Sequence, residues 1–238
     1  MSMQRDEQWY EDRRGKITGS KAHLLLTDGR GPHGLGAGAL TYANQLAAER
    51  LGLMFEEPFY SYEMKRGEQL EDEARIAYDE KFGTLVQEVR FKDYSPVPYI
   101  GVSADGIVVK DNDMVGYNTP LRGVEIKCHN QIEKHLSYFL DGDIPIAYQA
   151  QMQWGMLVWD LPEWDFVSYD PRIADCPDLF VKRIMRDQPV ITKLLNKAQH
   201  LNEVVEDKVN QIKLKSSLAT GKVPEVHLEK NESLVSPV

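Results

Sequence analysis

The hydrophobic period of this chain switches repeatedly between helical and strand-like, and in a definite order. Over residues 64–82, Met64, Gly67, Leu70, Ala74, Ala77, Tyr78 and Phe82 fall on one arc at about 100° per residue, which predicts a helix. From residue 84 to 128 the apolar residues come instead in short strand-like runs at 84–91, 99–103, 107–110 and 123–128. Helices are then predicted at 131–140 and at 145–159, the second with Pro145 near its start. Strands follow at 164–169 and 179–185. Ile191, Leu194, Leu195, Ala198, Leu201, Val204, Val205 and Ile212 form the stripe of a long amphipathic helix over 189–212. On the N-terminal side, Thr18 is placed to cap a short helix, residues 28–38 form a glycine-rich loop, and 39–51 is helical. Helices, then grouped strands, then helix, strands and helix predict an α/β fold: a central mixed sheet flanked by helices. We assign residues 1–214 to a single domain and 215–238 to a polar C-terminal tail.

The 238 residues are ample for one core. Two cysteines, Cys128 and Cys176, exclude a disulfide framework and a four-cysteine zinc or iron–sulfur site within one chain. No apolar run approaches the roughly 20 residues of a membrane span, and the charged first residues are not signal-like, so a cytoplasmic location is expected. The 28 basic and 37 acidic side chains give a net charge of −9, which opposes nucleic-acid binding unless basic groups are gathered locally.

Within Gly123-Val124-Glu125-Ile126-Lys127-Cys128, strand alternation sends Val124, Ile126 and Cys128 to one face and Glu125 and Lys127 to the other. Taken alone, E-x-K on a strand is an ordinary solvated face. Ser103-Ala104-Asp105-Gly106, taken alone, is a turn. Together they bring Asp105, Glu125 and an ammonium to adjacent strand ends. Two hard oxygen ligands, with the Ile126 carbonyl as a further candidate, suit Mg²⁺. Lys127 could orient or deprotonate an attacking water, or stabilise charge on a phosphate. Glu71 falls on the apolar arc of the 64–82 helix, where a carboxylate is costly unless paired or metal-bound. It is a tolerated boundary residue, or it pairs with Arg75 four residues on, or it completes a site for one or two divalent metals, the arrangement used in phosphodiester hydrolysis.

Residues S-A-D-G and V-E-I-K-C, preceded by R-G-E-Q-L-E and followed by Y-Q-A-Q-M-Q, resemble the PD-(D/E)XK nucleases. The similarity is to the phage lambda exonuclease, or YqaJ-type viral recombinase, branch. W-Y-E-D-R-R-G-K-I-T-G-S and F-V-S-Y-D-P-R fit the same branch, and the likeness spans roughly residues 9–212. The resemblance implies Asp105, Glu125 and Glu71 as metal carboxylates and Lys127 as the catalytic lysine. It implies Gln151 near the metal or the scissile strand, with Gln149 and Gln153 as alternatives. Arg13, or Arg14 beside it, would bind the DNA 5′-phosphate with Ser20 and Ser103, because a guanidinium and hydroxyls suit that group. It further implies Mg²⁺ (two ions, with Mn²⁺ able to substitute), 5′→3′ digestion of one strand of duplex DNA, and a homotrimeric ring. A single-strand annealing protein would be the partner, in the bacterial cytoplasm of a phage or prophage. Arg30 or His33 could touch DNA from the glycine-rich loop, and residues 54–64 are the candidate strand-separating wedge.

Rival readings are an endonuclease of restriction or junction-resolving type with the same metal site, and a non-catalytic DNA-end-binding subunit. The glycine-rich loop lacks the G-K-[ST] of a nucleotide-binding loop. Cys128, His129 and His135 lack a fourth zinc ligand. Trp154 and Trp159 are expected in the core.

Overall fold

The computed structural model describes residues 6–31, 33–52, 62–110 and 118–220. Its elements run α1 (Glu7–Arg13), β1 (Ile17–Thr18), a 3-10 helix (Gly19–Leu26), α2 (Ala37–Arg50), α3 (Tyr62–Phe82), β2 (Leu85–Gln87) and β3 (Lys92–Asp93). Then come β4 (Ile100–Val102), β5 (Gly106–Lys110), β6 (Thr119–Lys127), α4 (Ile132–Asp141), α5 (Ile146–Trp159), β7 (Glu163–Tyr169), β8 (Leu179–Met185) and α6 (Gln188–Thr220). Local chemistry sets several boundaries. The Asp6 carboxylate accepts the Trp9 amide and starts α1. Gly142, in the left-handed region, stops α4. Thr18 stands at the N-cap of the 3-10 helix, but its hydroxyl lies against Ser20 Oγ and not against a helix amide.

The main sheet has the order β2-β5-β6-β7-β8, with β6 and β7 parallel and the other pairs antiparallel. It is the expected mixed sheet between helices. The expectation of one sheet needs a correction, because β1, β4 and β3 form a second, three-stranded sheet. The chain bends at residues 103–105, so β4 pairs with β1 and β3 while β5 joins β2 and β6. The same division cuts the strand expected over 84–91 to Leu85–Gln87, since the chain crosses there to the smaller sheet.

Alternation along the strands separates two cores. Val108, Val124, Ile126 and Val167 meet Leu70, Ala74 and Tyr78 of α3. Ile107, Val109, Trp164 and Phe166 join a larger cluster with Met152, Trp154 and Met156 of α5, backed by α2 and α6. Trp154 is fully buried and donates its indole N–H to the Gly101 carbonyl at 2.9 Å. α6 outlasts the predicted 189–212 helix and continues through residues 215–220, which were expected to be tail. Leu214 and Leu218 keep its helical spacing while lying exposed. Residues 221–238, and 54–61 of the candidate wedge, fall outside the described residues.

How closely α5 approaches the sheet is set by Trp164. A Cβ at Gly123 of β6 would lie 2.3 Å from the indole, and one at Gly155 of α5 2.5 Å from it. Both glycines are therefore space for one rigid ring. Gly123→Ala is expected to cost about 1–3 kcal/mol of stability, read as a lower denaturant midpoint. An unchanged midpoint would show that the ring has room to move.

Candidate active site

Three elements meet at the C-terminal end of β6. The bend between β4 and β5 carries Asp105. Its Oδ2 accepts the Ile126 amide at 2.7 Å, and its carbonyl accepts Arg75 Nη1 at 2.8 Å. Glu125 and Lys127 occupy the β6 face opposite Val124 and Ile126. That face is not solvated, which overturns the simplest reading of E-x-K. Glu125 stands in register with Phe166 beneath α5 and is only 1% exposed. Lys127 Nζ donates to Glu125 Oε1 and lies 5.1 Å from the centre of the Tyr148 ring.

Burial dominates the electrostatics. It pushes the Glu125 carboxyl up to about 8; Lys127 pulls down, while Asp105 and Glu71 add repulsion. Burial alone would lower the Lys127 ammonium, but Glu125 and Asp105 outweigh it and hold the group above its ordinary range. Burial, then the charges of Glu71 and Asp105, lift the Cys128 thiol to about 12. Glu71, half-buried on α3, is near enough to raise both the Glu125 carboxyl and the Cys128 thiol by its charge.

Among the described residues no three His, Cys, Asp or Glu groups stand close enough to enclose an ion by themselves. The donor chemistry still fits a hard divalent cation that keeps part of its water shell. A buried carboxylate repelled by two others is the arrangement that such a cation relieves.

A second group forms beside it. Arg13 Nη1 donates to Ser103 Oγ at 2.9 Å, and its guanidinium lies 4.1 Å from the centre of the Trp9 ring. Arg14 instead pairs with Glu11 at 2.5 Å. The parallel β1–β4 pairing, Thr18 with Gly101, sets Gly19 at the start of the 3-10 helix against Val102, and Ser20 follows with its hydroxyl near that of Thr18. Gln151 packs on this corner: a Cβ at Gly19 would stand 3.4 Å from its Cγ. The other glutamines serve the fold. Gln149 donates to the Ile144 carbonyl, and buried Gln153 bridges the Met185 carbonyl and the Asp187 amide. The glycine-rich loop bearing Arg30 and His33 is tied to α6, where Asp28 pairs with Lys193 at 2.9 Å and Lys197 at 3.0 Å.

Sequence reasoning missed several supports. Arg75 was considered only as a partner for Glu71, yet it pairs with Asp72 and holds the Asp105 carbonyl. Tyr148 lies under Lys127; its place in Y-Q-A-Q, three residues before Gln151, was the available signal. Arg66 and Arg172 both donate to the His129 carbonyl and fasten the loop that leaves β6. His135 is engaged by Ser168 and the Pro177 carbonyl.

The sequence matches the family model of the YqaJ-like viral recombinase domain over residues 8–161. The chain belongs to that family. Among solved structures it is similar to an alkaline exonuclease, LHK-Exo, from Laribacter hongkongensis. The two share 29% identity and a TM-score of 0.77, over 90% of this chain and 100% of that one. The same protein in complex with dAMP matches equally well. A phage related exonuclease from Haemophilus somnus 129PT shares the fold at 14% identity and TM-score 0.60, over 83% of this chain and 96% of that one. No curated protein matches the sequence. The fold of this YqaJ-family chain is that of the PD-(D/E)XK nucleases. Among its described residues no helix is long and apolar enough to cross a membrane.

The raised Glu125 carboxyl makes stability depend on pH. Between its ordinary 4.5 and about 8, the folded chain holds a proton that the unfolded chain releases. Without metal, the contribution is full below the lower value and is lost as pH rises through the upper one. Between pH 5 and pH 8.5 in chelator, the unfolding free energy from denaturant titrations should fall more for wild type than for Glu125→Gln, by at least about 1 kcal/mol. Parallel slopes would mean that Glu125 titrates normally.

Proposed function

We propose that this protein is a Mg²⁺-dependent exonuclease that digests one strand of linear duplex DNA from its 5′ end. It would release mononucleotides and leave 3′ single strands. One observation carries the reading. Ser103 and Asp105 are two residues apart on one bend; the first holds Arg13, and the second is bonded to the strand that bears Glu125 and Lys127. The Arg13–Ser103 pair, read as a corner for an anion, adjoins the residues read as a carboxylate–lysine site. An endonuclease needs the second but not the first.

Asp105, Glu125, Glu71 and the Ile126 carbonyl would hold the metal, two ions in the fullest form, with Mn²⁺ able to replace Mg²⁺. Bound there, the ions supply a Lewis acid for the phosphodiester and a more acidic water. Lys127 is held in its charged form beside Glu125 and Asp105, which suits it to stabilise charge on the phosphate more than to remove a proton. Arg13 offers a fork of donors to a 5′-phosphate, with the Ser103 and Ser20 hydroxyls beside it. Gln151, on the Ser20 side, would contact the scissile strand. The names of the solved relatives, alkaline exonuclease and phage related exonuclease, support this reading, as does the complex of one of them with dAMP.

The family supports a role in viral recombination beside a single-strand annealing protein, in the cytoplasm of a bacterial host. A homotrimeric ring with a locally basic channel would reconcile a DNA substrate with the net charge of −9.

Glu125→Ala and Lys127→Ala should each slow digestion of linear duplex by at least about 100-fold while the protein stays folded. Ordinary Mg²⁺-dependent activity in either variant would remove the assignment. Ends bearing 5′-phosphate should be degraded faster than 5′-hydroxyl ends, and Arg13→Ala should abolish the difference. Rapid cutting of closed circular DNA would favour the endonuclease instead.

A further inference from the structure

We infer that Arg75 is a positioning residue for the metal site, setting the spacing between Asp105 and Glu71. The inference rests on the reading of those two acids as metal carboxylates.

Arg75 follows Glu71 by four residues, so both side chains leave the same face of α3. Its side chain is only 13% exposed. One guanidinium nitrogen donates to the Asp105 carbonyl at 2.8 Å, and another pairs with Asp72 on its own helix. Its stem runs along the bend, where a Cβ at Gly106 would stand 3.8 Å from Arg75 Cδ. Asp105 is thus held twice. Its carboxylate is held by the Ile126 amide at 2.7 Å, from the sheet side. Its backbone is held by α3 through Arg75.

The bend lies between two strands that belong to different sheets, so ladder bonds do not by themselves fix it to the helix. The planar guanidinium does so, because its two donors keep a fixed angle between helix and bend. A lysine ammonium keeps the charge but not the fork. Charge and position make opposite predictions. If Arg75 acted only as a nearby cation, removing it would leave the site more negative and tighten binding of a divalent ion. As a positioning group, its removal lets Asp105 and Glu71 drift apart and weakens binding.

The test is Mn²⁺ binding without DNA, followed by the electron paramagnetic resonance signal of the free ion. The proteins are wild type, Arg75→Met, Arg75→Lys and, as reference, Asp105→Asn, each also melted thermally. Wild type should bind, and Asp105→Asn should bind poorly. Arg75→Met should lose about 10–100-fold in affinity, the range for a lost outer-shell partner. Arg75→Lys should lose less, though clearly more than nothing. KM for DNA should stay near wild type in both Arg75 variants. Binding by Arg75→Met as tight as wild type, or tighter, overturns the positioning role and leaves the metal site standing. If Arg75→Met does not fold, Arg75→Lys decides, and wild-type affinity there overturns the inference. No Mn²⁺ binding by wild type, or equal binding by Asp105→Asn, overturns the metal site itself and the inference with it.

Discussion

The bond from the Ile126 amide to the Asp105 carboxylate joins the two sheets of this protein. Asp105 closes the bend after β4, which belongs to the small sheet, and Ile126 lies on a central strand of the large one. Geometry propagates outward from that joint. Toward the small sheet, Ser103 reaches Arg13, and β4 pairs in parallel with β1. Toward the large sheet, Ile126 separates Glu125 and Lys127, whose side chains leave by the other face. An acid that merely ended a turn would leave these two groups unrelated. One that bonds across sheets makes them a single surface.

Burial then gives that surface its chemistry. Trp164, lodged between two positions that lack a Cβ, lets α5 settle closely on β6 and bring Tyr148 to Lys127. Glu125 is left nearly without water. In such a place loss of hydration, more than repulsion from Asp105 and Glu71, raises the Glu125 carboxyl, and the Lys127 ammonium offsets only part of the rise. The chain belongs to the YqaJ-like family, and its likeness to the alkaline exonuclease extends over nearly the whole chain.

Much of the fold was legible because periodicity follows from side-chain direction along a helix or strand. The long helices and the β5, β6, β7 and β8 strands were visible to within a few residues, apart from the N-terminal extension of β6 and the C-terminal extension of α6. The second sheet was not, because strands of two or three residues carry too little pattern to reveal their partners. The apolar arc of α3 exposed Glu71 as an anomaly. Nothing in the arc could show that Arg75, one turn on, holds the Asp105 backbone, since a bond to a backbone carbonyl leaves no mark on the partner's identity.

The sequence by itself determined which groups were available: Asp105 at a bend, Glu125 and Lys127 on one strand face, Glu71 on a helix arc, Arg13 near the start. Strand alternation assigned Glu125 and Lys127 to a shared face, but it could not say whether that face met water. Only the tertiary structure decided this, by laying α5 over the strand. It also gave the two adjacent arginines different partners, Ser103 for Arg13 and Glu11 for Arg14. The physical reason is the same in each case. Direction along a strand or helix is a local property of the backbone, whereas burial and partnership depend on elements far away in the chain.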